Sequence, residues 1–176
     1  LVEDLLTLAN LESNVLPASN NETKVKTIIA LLKNDAEVLS QGRHALTFEI
    51  DSDENLLGDE REILSAFSNL VSNAIRYTPD FGVIKVLWRI NEEGQGEFSV
   101  SDTGPGIASE HLSRLTERFY RVDRSRSRDT GGTGLGLAIV KHIASRHQAQ
   151  LLIESTPGKG STFILRFPKE RIFSNN

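Results

Sequence analysis

The sequence contains neither cysteine nor methionine, and only one tryptophan and two tyrosines. Without cysteine there is no disulfide, no thiolate metal site and no cysteine nucleophile. The lack of thiols is also compatible with a reducing compartment. Translation begins with methionine, so its absence marks Leu1 as an expected internal boundary of a longer protein. Long hydrophobic runs are missing as well: none approaches the roughly 20 residues that cross a bilayer, and no signal peptide opens the chain. An excess of one charge is lacking too, with 20 basic and 24 acidic residues and a net charge of −4. That balance argues against a nucleic-acid surface. No internal repeat is found. What remains is a chain of 176 residues, long enough for one domain with a substantial core and some extra.

Apolar spacing divides the chain. Leu1, Leu5, Leu8 and Val15 form a narrow stripe on a short helix, which either packs on its own domain or ends a longer helical hairpin. The polar, breaker-rich stretch Pro17 to Thr23 reads as a linker. Val25, Ile28, Ile29, Leu32, Ala36 and Leu39 repeat at helical spacing, with Gly42 suited to the C-terminal cap. Leu46, Phe48 and Ile50 alternate as in a half-buried strand. Asp59 followed by Glu62 resembles a capping box that opens a helix through about Tyr77. Ile84, Val86, Trp88 and Ile90 alternate again, and a shorter strand holds Phe98 and Val100, with Gly94 and Gly96 between them suggesting a hairpin. A helix is predicted from about Ser109 to Phe119, and another from Leu135 to His147. Strands at Leu151 to Glu154 and Thr162 to Phe167 flank a tight turn. The polar, glycine-rich stretch Arg121 to Gly134 has almost nothing to bury and is predicted to be a mobile loop. These elements predict an α+β fold, a two-layer sandwich with helices on one face of a mixed sheet.

Four sequence features follow one another in a fixed order: NLVSNA, DTGPGI, ERFYR and GGTGLGL. Each alone is modest evidence. Together they resemble the motifs of the ATP-binding catalytic domain of bacterial sensor histidine kinases, within the ATPase superfamily shared with Hsp90, gyrase B and MutL. The resemblance covers roughly Val25 to Lys169. It implies a two-layer α/β sandwich, Mg-ATP as the bound nucleotide, and protein-histidine kinase activity.

Residue chemistry agrees with that reading. Asn69 and Asn73 are four apart on one helix and share a face, and an amide oxygen suits magnesium, a hard cation that keeps several waters. An isolated pair of this kind is usually a solvated stripe, but Leu70, Val71, Ala74 and Ile75 bury the other side of this helix. The resemblance assigns Asn73 as metal ligand, places Asn69 beside the phosphates, and counts both with Arg121 as catalytic. Arg76 stands where many members have lysine; both are cations for phosphate, but arginine offers a planar fork. Tyr77 is implied to lie against adenine, or else to be structural at the helix end.

A carboxylate at Asp102 would accept from the adenine amino group and reject guanine, whose matching position is an acceptor. Gly104 and Gly106 would let backbone approach the flat base, with Ile107 beside them. Glycines before a helix present free N–H groups and the positive end of its dipole. Gly132, Thr133, Gly134, Leu135, Gly136 and Leu137 are therefore implied to wrap the triphosphate, with the preceding loop as a lid. The GxxxxGK[ST] spacing of a P-loop is absent. Lys141 reads as a surface charge.

Arg118 and Tyr120 are implied nucleotide-binding residues, and Arg121 is implied to reach the γ-phosphate, where it would stabilise transferring charge; its bland alternative is a surface ion pair. Leu115 and Thr116 replace a hydrophobic-Phe pair common in the family. GKGSTF resembles the last family motif, which implies Thr162 near the adenine. None of His44, His111, His142 and His147 has metal-ligand spacing or the family's phosphoacceptor context, so the chain is expected to lack its acceptor histidine.

The resemblance divides the chain into 1–23, the end of the second helix of a dimerisation hairpin plus linker; 24–172, the ATP-binding domain; and 173–176, a tail. It implies as partners the dimerisation/phosphoacceptor domain and a response regulator receiver domain, with no nucleic acid and no direct membrane contact. It further implies a homodimer for the longer protein, a monomer for this chain, and a cytoplasmic position behind an inner-membrane anchor. LVEDLLTLANLE and the run from Thr116 to His142 look like sensor kinases of the phosphate regulon. Two rivals are a serine-directed anti-sigma-factor kinase of the same superfamily and a non-catalytic docking module.

Overall fold

The structure is a computed structural model that describes residues 2–122 and 132–174. The predicted mobile loop lies mostly in 123–131, outside the described residues. In chain order the elements are α1 (Val2–Ser13), β1 (Glu22–Thr23), α2 (Val25–Ser40), β2 (Ala45–Ile50), β3 (Asn55–Leu57), α3 (Glu60–Tyr77), β4 (Val83–Ile90), β5 (Gly96–Asp102), α4 (Ser109–Leu112), α5 (Gly136–Arg146), β6 (Gln150–Thr156), β7 (Gly160–Phe167) and β8 (Ile172–Phe173).

Five strands form a mixed sheet in the order β2-β4-β5-β7-β6. Only β2 and β4 run parallel, and the chain passes between them through β3 and α3, as a parallel pair requires a crossover. The inward residues of the strands, Ile84, Val86 and Trp88, Phe98 and Val100, and Phe163, Leu165 and Phe167, meet α2, α3 and α5 in one core. Phe67 of α3 stacks on Phe98 and meets Phe167 edge-on. Full burial of side chains this size contributes about 1.5–3 kcal/mol each. On the open face, Glu97 is nearly buried between Arg89 and Arg166. Burial would raise its pKa, but the hydrogen bonds and charges of the two guanidiniums outweigh that and hold it below 4.5.

The α+β sandwich predicted from the alternations is the observed architecture. Three details differ. A small antiparallel sheet, β1-β3-β8, went unforeseen because strands of two or three residues are too short to show alternation. The helix predicted over Ser109 to Phe119 is one turn, α4, followed by successive turns closed by hydrogen bonds such as Arg114 N to His111 O and Glu117 N to Arg114 O, both 3.0 Å. In this stretch only Leu115 is buried, so no apolar face holds a longer helix, and short helices are marginal without one.

The third difference concerns α1. Its buried residues are Leu8 and Leu11, against α5, whereas Val15 lies beyond the helix and is exposed. The linker after it is held down: Ala18 N donates to Arg146 O (2.8 Å), Arg146 Nη1 to Leu16 O (2.7 Å) and Arg171 Nη1 to Ser19 O (2.8 Å).

Candidate functional site

A cavity of about 550 Å³ opens where the middle and end of α3, the loop after β5, the turns after α4 and the start of α5 converge. α3 brings its face because its opposite side, Ile63, Phe67, Leu70 and Ile75, is buried. Its start is fixed by Asp59, whose carboxylate accepts from Glu62 N at 3.0 Å. The reciprocal half of the capping box is replaced. Glu62 pairs with Arg146 (2.6 Å), and Asp59 N–H donates to Nε2 of the buried His147 at 3.1 Å. His147 is held neutral, chiefly by burial, which lowers its pKa.

Asn69, Asn73, Arg76 and Tyr77 line the cavity along α3. Asn69 Nδ2 donates to Ser65 O (2.8 Å), which turns Oδ1 toward Gly136: a Cβ there would stand 2.9 Å from that oxygen. A Cβ on Gly132 would approach the Arg76 guanidinium to 3.3 Å. The absence of these side chains is what lets the start of α5 lie against α3. Gly134 has φ +79°, and a Cβ on it would meet Phe119 Cα at 2.8 Å. Phe119 N–H donates to Gly134 O (2.9 Å), so the ERFYR and GGTGLGL segments are joined backbone to backbone.

At the other end, Asp102 Oδ1 accepts from Gly104 N (2.9 Å) and Ser161 N (3.3 Å). Burial raises the Asp102 pKa above 3.8, and the two amides work against that rise. Its Oδ2 has no hydrogen bond among the described residues. The loop after it is fastened by Ser155, whose Oγ accepts from Ile107 N (2.7 Å) and pairs with Ser161 Oγ (2.8 Å). Tyr120 lines the cavity with its hydroxyl bonded to His111 Nδ1 and its ring under Arg114.

The structure thus brings to one cavity Asn69, Asn73, Arg76, Tyr77, Asp102, Gly106, Ile107, Tyr120, Arg121, Gly132, Thr133, Gly134, Gly136 and Leu137. Four other residues singled out in the sequence lie outside its lining. Gly104 caps Asp102 from behind, Leu135 is buried beneath the glycines, and Arg118 pairs with Glu12. Thr162 points to the opposite face of the sheet, where its hydroxyl meets Ser101 Oγ at 3.0 Å; its neighbour Ser161 lines the cavity instead. Asp4, Arg43, Leu115 and Phe163 also line it. Among the described residues no group of three or more His, Cys, Asp or Glu is arranged to hold a metal. Among the oxygen donors that line the cavity, the amides of Asn69 and Asn73 suit a hard cation shared with phosphate oxygens.

A two-layer sandwich with an asparagine-bearing helix, an aspartate-glycine loop and a glycine-rich helix start around one cavity defines a class of nucleotide-handling domain. Residues 58–171 match the family described as histidine kinase-, DNA gyrase B- and HSP90-like ATPases, and the chain belongs to that family. Within it, the chain is 51% identical over 173 residues to the phosphate regulon sensor protein PhoR of Pseudomonas aeruginosa, covering 98% of this chain and 39% of that protein. It is 39% identical to PhoR of Haemophilus influenzae (99% and 42% covered). The chain therefore spans about two fifths of the length of these relatives. Among solved structures, full-length ShkA in complex with AMPPNP superposes with a TM-score of 0.78 at 26% identity (95% of this chain, 35% of that one). The catalytic domain of histidine kinase ThkA, nucleotide-free, gives 0.72 at 27% (85% and 95%).

Proposed function

We propose that the chain binds Mg-ATP in this cavity and presents the γ-phosphoryl group to a histidine of a dimerisation domain, from which it passes to an aspartate on a response regulator receiver domain. The observation that carries this reading is Asp102. Its carboxylate is fixed by two backbone amides at the cavity wall, where it accepts the adenine amino group and discriminates against guanine. Gly106 beside it lets this loop close against the turn after β6, since a Cβ there would overlap the Thr156 carbonyl. The phosphates would lie on the N–H groups at the start of α5, with Arg76 and Arg121 supplying positive charge and Asn73 holding the magnesium ion through its amide oxygen. Bound there, the ion would neutralise phosphate charge. Arg121, which lines the cavity, is placed in the role of stabilising charge on the transferring group.

None of the four histidines lines the cavity, so the acceptor is drawn from another segment. In this reading residues 1–23 end a dimerisation hairpin and its linker, 24–172 bind ATP, and 173–176 form a tail. The longer protein is a homodimeric sensor kinase, anchored in the membrane with this part in the cytoplasm. The likeness to two PhoR proteins favours phosphate-starvation signalling.

The test joins a histidine-bearing hairpin ahead of this chain and supplies γ-labelled Mg-ATP. Label that is retained on the hairpin in alkali and lost in acid is the expected result. Acid-stable label would mean hydroxyl phosphorylation and a serine-directed kinase, and no transfer by a chain that binds ATP would favour a docking module.

A further inference from the structure

α1 reaches the cavity with one side chain. Asp4 lines it together with Asn69, Asn73 and the turn Gly132–Gly134, and Asp4 Oδ2 accepts from Thr133 Oγ1 at 2.8 Å. The same hydroxyl accepts from Leu135 N at 3.2 Å, so the carboxylate is coupled through one oxygen to the amide of the residue that caps α5. A helix start attracts anions for the same reason that it attracts phosphate: unpaired N–H groups and the positive end of the dipole. At the other end of α1, Glu12 pairs with Arg118 and lies 3.7 Å from His142 Nε2. Between the two acids, Leu8 and Leu11 are buried against α5. The helix is therefore docked by an apolar seam and by two carboxylates, one on each of the segments ERFYR and GGTGLGL.

We propose that α1 is an internal competitor for the phosphate end of the site. Docked, it sets a carboxylate where phosphate oxygens belong and engages the Thr133 hydroxyl that a triphosphate would claim, while Glu12 fastens the far end of the helix to Arg118 beside the cavity. Nucleotide loading and α1 docking then oppose each other, and by linkage the opposition is reciprocal. ATP loosens α1, and whatever draws α1 away from α5 tightens ATP. The contacts with adenine are untouched, because Asp4 belongs to the opposite end of the cavity from Asp102. This inference rests on the nucleotide reading of the cavity.

Calorimetric titration of Mg-ATP and of adenosine into the 176-residue chain, Asp4→Asn and Glu12→Gln tests it. Each variant binds ATP at least about five-fold more tightly than the parent, within the range of coupled sites, while adenosine binds all three chains alike. In the parent, ATP speeds amide exchange across Val2–Ser13 and adenosine does not. Equal ATP affinities in the three chains would overturn the proposal, as would weaker binding by Asp4→Asn, which would make Asp4 a ligand of the nucleotide's metal. Slowed or unchanged exchange in α1 on ATP binding would overturn it as well. Failure of every chain to bind ATP would instead remove the nucleotide reading itself.

Discussion

Asp102 carries a carboxylate whose two states have different uses: ionised, it accepts from an amino group, and protonated, it loses part of that capacity. Burial raises its pKa above 3.8. ATP affinity is therefore predicted to fall on acidification, through a midpoint above 3.8 in the free chain, and to fall less steeply in Asp102→Asn. Titrations at a series of pH values check this; a parent affinity flat down to pH 4 would contradict it. Residues of this kind were legible because each motif is contiguous: Asn69 and Asn73, Asp102 and the glycines come with their own local geometry. Thr162 shows where local reading misled. Phe163, Leu165 and Phe167 face the core, so period two puts Ser161 on the cavity side and Thr162 away from it, a signal present in the sequence itself. Asp4 and Arg43 carried no such signal, since only the packing of distant elements brings them to the cavity.

α3 positions more of the site than any other element, and its N-terminus depends on a contact across 88 positions, between Asp59 N and His147 Nε2. The neutral imidazole accepts that N–H, and a protonated ring would not. Because the folded pKa of His147 lies below 6.5, the unfolded chain binds the proton more readily. The stabilisation is complete above 6.5 and is lost as pH falls through the folded value. Urea unfolding at pH 7.5 and 5.5 is predicted to give lower stability at 5.5, with the difference reduced in His147→Gln; an undiminished difference in that variant would assign the pH effect elsewhere. The capping box announced α3 from Asp59 and Glu62, but not the substitution of His147 for Glu62, because no spacing rule links residues so far apart. Over Ser109–Phe119, helical propensity was legible while the lack of an apolar face was decisive.

For the whole molecule, the alternations of β2, β4 and β7 and the helical periods of α2, α3 and α5 sufficed to place helices on one face of a mixed sheet. The sheet order and the β1-β3-β8 sheet were not legible, because strand pairing depends on contacts far apart in sequence. The layered arrangement has a functional consequence. It brings the end proposed to read adenine, built on β5 and β7, and the end proposed to hold the phosphates, built on α3 and α5, to one rim of the sandwich, so the proposed function needs both. The chain belongs to the ATPase family and shares its fold, and the proposed phosphoryl transfer depends on this cavity. The most direct measurement is calorimetric titration of ATP and GTP, with magnesium, into this chain and into Asp102→Asn. Saturable binding of ATP over GTP is predicted, weakened about 10-fold or more in the variant, since a hydrogen bond to a charged group contributes about 1.5–3 kcal/mol and about 1.4 kcal/mol is ten-fold in affinity. A folded parent chain that binds neither nucleotide, or both alike with no effect of Asp102→Asn, would contradict the account.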